Sequence, residues 1–578
     1  MTDARRRCAP VVTLALLALA GTVTTIGHEF TYDDRPVVFE NDRVHALSHL
    51  PRLFMETYWP PKYGGDGYRP VVTSLFTVQW VAAHGAPWLF HLVNILLAVA
   101  TVLAVYWCAL AFLPRFGALV AGALFAVHPV HVEVTGNVVG QAELIVALCL
   151  AIAVGLHVRR RAARALAGRD VCAITALFAV ALLTKEHAVV LPPLLLAAEA
   201  TVIRGDDWRT RVRVLRPLFL AFTAVILAYL YVRGLVQQDL AGFLPFPAFR
   251  FLRMSAANRV GTMMNEMPRI AQLILFPTHL SADYSPADVR IAEGPALSQL
   301  PGLFICVATI VLMIALRQRA PVASFGLAWI TIAFLPVSNL LVPTGFITAE
   351  RTLFFPSVGA VLMAGALAEH LRSHAARALR RLAAVALALL LVAGLARTID
   401  RQRIWKDNDT FFLALIRDAP NGYRAHYLNG RQAAMHGRLV EMEREYRHAI
   451  RIFPYDAGMT MWVETPTPGR GSGHRPRRCS SGRSEWNPSR ARGGTSMCTV
   501  WRNSAAGTTC AGRRWRDFPS CRRATSGSCG RLWRRPTGFS PGAPGEGVAA
   551  QRGVLQSARK VAESGGLAHN SPRTRQCK

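Results

Sequence analysis

The sequence predicts an all-α fold, a polytopic membrane helix bundle of about eleven spans with a short polar helical segment and a basic tail behind it. Three observations carry this. The 578 residues are 52% hydrophobic with a mean hydropathy of +0.26, too apolar for an ordinary soluble chain of this length. The apolar residues lie in repeated runs of near bilayer-spanning length. The loops between those runs alternate in character, arginine-rich in one set and rich in carboxylates, histidines and aromatics in the other.

The net charge of +31 does not mark a nucleic-acid-binding protein. From Pro466 onward the chain holds 22 of its 66 basic residues and only 4 of its 35 acidic ones. Much of the remaining excess sits in short loops between apolar runs, the positive-inside pattern. Nucleic acid is therefore not an expected partner, and membrane lipids are. No cysteine lies in a polar loop between spans, so no structural disulfide is expected in the membrane domain.

Taken in order, Arg5, Arg6 and Arg7 precede a first span at 9–27, read as an uncleaved signal-anchor rather than a leader. A long polar loop, 28–87, follows and opens FTYDDRPVVFEND. The remaining spans are 88–112, 115–131, 141–157, 171–184, 186–203, 215–234, 300–316, 321–341, 354–371 and 381–397. The stretch 259–277 reads as a re-entrant or surface helix. Residues 1–400 thus form the membrane domain, and 401–464 a polar helical segment. In the latter, A-x-x-L-x-G from Ala425, Gly437-Arg438, Tyr446, Ala449 and Phe453-Pro454 have the small/large spacing of a tetratricopeptide helix pair. At about Thr465 the composition turns to Arg, Gly, Ser, Pro, Cys and Trp without period. The 465–578 tail is read as a frameshift, with a disordered basic arm as the other reading.

With Arg5–Arg7 in the cytoplasm, the arginine-rich connections all fall inside. The connections holding Asp33-Asp34, Arg69, His131/Glu133, Lys185-Glu186-His187, Asp283-Tyr284 and Glu350-Arg351 all fall outside. Two independent features sort the same way, which gathers the candidate chemistry at one membrane face.

Adjacent carboxylates at a membrane surface are costly and tend to mark function. Asp33 and Asp34 are the candidate catalytic bases; a carboxylate within about 3 Å of a hydroxyl can take its proton. Their plain alternative is a helix cap or a solvated pair. Arg69, Lys185 and Arg351 are the candidate phosphate-binding cations, since charge-assisted donors suit a phosphate. Each could instead be an interfacial anchor or the partner of a neighbouring Glu186 or Glu350. His128, His131 and Glu133 in HPVHVE could ligate a metal, but proline and the short spacing make helix-end hydrogen bonding the favoured reading. A divalent metal is not indicated. Glu350 completes the candidates.

These motifs occur in an order that resembles a known family. DDRPVVFENDRV, YRPVVTSLFTVQW, PWLFHLVNILL, HPVHVEVTGNVVGQAELIVAL, LLTKEHAVVLPPLLL, FPTHLSADYS and PVSNLLVPTGFITAERTLFFPSVG, with the tetratricopeptide-like segment, resemble the transmembrane and tetratricopeptide repeat (TMTC-like) proteins over about 28–460. The resemblance implies a GT-C type, polyprenol-dependent glycosyltransferase, with protein O-mannosylation as the model activity. It implies a lipid-linked sugar donor, a protein or glycan acceptor met through the tetratricopeptide segment, and Asp33 or Asp34 in the acidic motif of the first external loop. It raises Arg69 and Arg351 as phosphate ligands. The arginine-rich style suggests a bacterial inner membrane, with the site and C-terminus on the periplasmic face. Two rivals remain at this level. A flippase or transporter would carry polar residues in mid-span, and a non-catalytic scaffold would not need Asp33 and Asp34.

Overall fold

Each of the eleven apolar runs is helical in the computed structural model, which describes residues 3–454 other than 165, 238–253 and 345. The basic tail lies outside the described residues. No β-strand is present among the described residues.

The helices of ten residues or more are α1 (Asp3–Thr22), α2 (Pro70–Ala83), α3 (Pro87–Ala109), α4 (Arg115–Ala126), α5 (Gln141–Ala162), α6 (Gly168–Thr184), α7 (Leu191–Thr201) and α8 (Trp208–Gln237). They continue as α9 (Ala256–Leu275), α10 (Leu300–Arg319), α11 (Pro321–Phe334), α12 (Ser357–His374), α13 (Arg377–Gln402), α14 (Asn408–Asp418), α15 (Tyr423–Met435) and α16 (Leu439–Ile452).

Among the described residues, six helical stretches are long and apolar enough to cross a membrane, and a seventh forms if α4 and the following Pro129–Gly136 turn, bent by 50°, count as one. Fewer than the eleven expected runs meet this length and composition among the described residues. Runs 171–184, 186–203, 321–341 and 354–371 do form helices, but shorter or interrupted ones, because polar motifs end them. Lys185 breaks out of α6 into extended backbone, and Glu186–Val190 winds as a 3-10 turn before α7. The loop 28–87 also holds a helix that the sequence reading missed, α2. It is only 14 residues long and stops where His84 and Gly85 turn left-handed.

The main core joins α3, α4, α5, α6 and α12 through small residues and Phe, Leu and Val. Without a hydrophobic drive between helices in lipid, close backbone approach is the stabilising device. At the α4–α12 crossing a Cβ on Gly117 would stand 2.7 Å from the Gly365 carbonyl. Several polar groups inside the bundle are paired: Gln79 and Gln141 exchange two amide bonds of 2.9 Å, and the Asn94 amide donates to the Asn137 carbonyl at 2.8 Å. Helices α15 and α16 are joined by a tight turn at Gly437, in the left-handed region at φ +71°, and pack through Ala433, Met442 and Tyr446.

Candidate active site

The polar ends of α5, α6 and α8, the first loop, the Asp283 loop, the Glu350 turn and the start of α15 surround a single cavity of about 780 Å³. One wall is polar and the other apolar, with Ile226 and Leu230 of α8, Ile332 of α11, Leu335 and Val342. Asp33, Arg69, Glu133, Lys185 and Arg351 all line it. Residues far apart in sequence thus meet in one place, as the charge sorting of the loops implied.

The adjacent aspartates part ways. Asp34 is fully buried, and its carboxylate accepts backbone N–H bonds from Thr31 (3.2 Å), Val138 (3.1 Å) and Val139 (2.8 Å). It ties the first loop to the turn ahead of α5. Burial pushes its carboxyl up to about 7, against those three donors. Asp33 faces the cavity instead, and no hydrogen bond reaches its carboxylate among the described residues. Burial raises its pKa above the usual carboxylate range, while Arg351 and Arg424 pull it back. The residue between Asp33 and the membrane, Tyr32, is held at φ +54°. Such a conformation costs a bulky side chain about 1–3 kcal/mol and persists only where the surroundings enforce it. They do so here. Tyr32 N–H donates to Asn408 Oδ1 at 2.8 Å, and its ring stacks on Phe411 at 5.0 Å.

The three cations are paired, but not with their sequence neighbours. Arg69 meets Glu186 at 3.1 Å and lies over the Tyr58 ring at 4.6 Å. Lys185 meets Glu143, which His187 also approaches at 3.4 Å. Arg351 meets Glu133 through its guanidinium and, at 2.8 Å, through its own backbone N–H. The alternative adjacent pairing, Lys185 with Glu186 and Arg351 with Glu350, does not form. Side chains of consecutive residues in a turn point apart, whereas the cavity brings three segments within reach. Burial works against both ions of the Arg69 pair, yet Arg69 still draws Glu186 down to about 2. Burial likewise lowers the Lys185 ammonium against the pull of Glu143.

The other candidates stand outside the cavity wall. His128 bonds the Ile274 carbonyl at 2.9 Å and accepts from Val130 N–H. His131 meets Ser357 Oγ at 2.8 Å. Glu350 accepts from Ser281 N–H at 2.5 Å and Tyr284 Oη at 2.8 Å, and burial pushes its carboxyl up to about 8. Among the described residues no cluster of three His, Cys, Asp or Glu side chains is arranged to hold a metal ion.

Several charged lining residues escaped the sequence reading, Asp66, Glu143, Arg233 and Arg424 among them. Glu143 was legible, because a lone carboxylate in an apolar helix is itself a site signal. Arg424, on α15, carried none; it looks like any exposed cation of a repeat helix.

No family model matches the chain. Among curated proteins, a protein O-mannosyl-transferase (F38B6.6) of Caenorhabditis elegans is 24% identical over 461 residues, covering 76% of this chain and 62% of its own length. The Homo sapiens protein O-mannosyl-transferase TMTC3 is 23% identical, covering 73% and 48%. The Mus musculus TMTC4 enzyme is 26% identical, covering 72% and 63%. The chain thus spans between about half and just under two-thirds of these relatives. Among solved structures, the archaeal oligosaccharyltransferase AglB of Archaeoglobus fulgidus, in complex with an inhibitory peptide and a dolichol-phosphate, aligns at 14% identity with a TM-score of 0.43, covering 69% of this chain and 56% of that one.

Proposed function

We propose that this integral membrane chain, whose homologues are TMTC-type protein O-mannosyltransferases, transfers a sugar, with mannose the first candidate, from a polyprenyl-phosphate donor to a protein acceptor. The observation that carries the reading is the cavity, where an Asp33 carboxylate without a hydrogen bond among the described residues shares the lining with Arg351, Arg69 and Lys185 beside an apolar wall. The apolar wall suits the first isoprene units and the polar wall suits phosphate and sugar.

The chemistry follows from the side chains. Asp33 accepts the proton of the acceptor hydroxyl as that oxygen bonds to the anomeric carbon. The bond from that carbon to the phosphate oxygen breaks, and its electron pair leaves with the phosphate. Arg351, Arg69 and Lys185 stabilise the charge that develops there. Their glutamate partners hold them in position before substrate arrives, which reduces the ordering cost of binding. Asp34 keeps the loop clasped and takes no part in the proton transfer. The acceptor enters the same cavity, and α14–α16 offer it an approach surface. The site faces the periplasm of a bacterial inner membrane, a reading that the sorting of arginines onto the opposite loops supports.

Reconstitution tests this. Proteoliposomes supplied with polyprenyl-phosphate [3H]mannose and an envelope-protein extract should label protein, and Asp33→Asn vesicles should not. No label from mannose or any other hexose donor on the wild type would overturn the reading.

A further inference from the structure

The three cavity cations discussed above are each neutralised by a buried glutamate. A fourth is not. Arg424 lines the same cavity, yet its hydrogen bond among the described residues goes from Nη2 to the neutral phenol of Tyr32 at 3.1 Å. No carboxylate lies within 4.0 Å of it among the described residues. Asp33 and Asp283 act on it only from a distance. A partly buried guanidinium held by a phenol keeps most of its donors and its full charge available. A cavity that leaves one cation uncompensated is arranged for an anion.

Arg424 is not on the membrane domain. It sits at the start of α15, the first helix of the tetratricopeptide-like pair. The segment that leads into that helix, Trp405 to Asn408, is fixed against the first loop at several points. Glu29 N–H donates to the Lys406 carbonyl at 2.8 Å, Thr31 Oγ1 to the Trp405 carbonyl at 3.1 Å, and Tyr32 N–H to Asn408 Oδ1. Tyr423, next to Arg424, stacks on Phe453 at 4.7 Å within a buried cluster that includes Val130, Ile347 and Leu353 of the membrane domain. The guanidinium is therefore delivered by a docked element, not by a loose tether.

We infer that Arg424 is a substrate-binding residue of the cavity, holding a phosphate oxygen of the lipid donor beside Asp33, so that the C-terminal helix pair completes the active site. The inference rests on the donor assignment made above. It gives the pair a role apart from acceptor capture, since the membrane domain alone would lack the cation that no carboxylate pairs with among the described residues.

Binding to the full chain in detergent tests it, with undecaprenyl phosphate as the probe and undecaprenol as the phosphate-free control. Arg424→Gln should weaken undecaprenyl phosphate binding by roughly 10–100-fold and leave undecaprenol unchanged, while Arg424→Lys keeps most of the affinity. Arg447→Gln, on the exposed face of α16, should bind as the wild type does. On the unaltered protein, phenylglyoxal should modify Arg424, and undecaprenyl phosphate should protect it, as read by mass spectrometry of the peptide. The second measurement decides the matter if the Gln variant does not fold. Equal binding by the wild type and Arg424→Gln, or equal modification with and without lipid, overturns the role of Arg424 and leaves the donor assignment standing. A wild type that does not bind undecaprenyl phosphate above undecaprenol overturns both.

Discussion

At the scale of single residues, Asp33 and Asp34 share chemistry and differ in what surrounds them, so their substitutions should fail differently. Asp33→Asn keeps volume and removes the base, so transfer should fall by ~10²–10⁴-fold with the unfolding temperature unchanged. Asp34→Asn presents an NH2 group to backbone donors. It should cost about 1–3 kcal/mol of stability, seen as a lower unfolding temperature, with residual transfer at low temperature. Equal transfer by Asp33→Asn and the wild type would remove the base from the mechanism.

The pH behaviour follows from burial. Asp33 must be ionised to accept a proton, and burial raises its carboxyl. Transfer should therefore disappear as pH falls through a value above the ordinary carboxylate range. Glu350 gives a stability effect of defined sign. Its folded carboxyl is raised from 4.5 to about 8, so the folded state holds the proton more tightly. That contribution is complete below 4.5 and is lost as pH rises toward 8. Glu350→Gln should flatten the decline of unfolding temperature between those values. An unchanged slope would mean that other groups produce it.

At the scale of elements, the turn Val138–Gly140 fastens the first loop, because two of its amides hold Asp34. A Cβ at Gly140 would overlap the Val134 carbonyl, which is backbone and cannot swing aside. Gly140→Ala should thus lower stability by at least ~1–3 kcal/mol and reduce transfer too, because the displaced turn releases the loop that bears Asp33. A melting curve beside an activity assay checks both, and a variant with wild-type values in each would show that the turn relaxes freely. The same scale explains why α2 was missed. Its 14 residues are too few for a span, and the long-run criterion that finds spans passes over a helix that stops at His84-Gly85.

At the scale of the whole molecule, the sorting of loops makes orientation testable. On a background freed of native cysteines, Met55→Cys should react with an impermeant thiol reagent on intact cells, since Met55 is exposed in the first loop. Gly168→Cys, at the arginine-rich end of α6, should react only after permeabilisation. The reverse pattern would invert the topology and put the cavity in the cytoplasm.

The sequence by itself determined the all-helical class and placed Asp33, Arg69, Lys185 and Arg351 in the set of loops that is poor in arginine. Hydropathy runs and charge bias act locally along the chain, and each can be read without knowing what it touches. It could not count the spans, because a helix of 11 to 18 residues is limited by where its neighbours and polar ends sit rather than by its own composition. It could not choose between Asp33 and Asp34, or between Glu186 and Glu143 as the partner of Lys185. Those choices depend on which side chains converge across more than 40 residues of chain, and adjacency in sequence sends consecutive side chains apart. Arg424 is the extreme case. Nothing in its own helix distinguishes it, and only the docking of α14–α16 on the first loop brings its charge to the cavity.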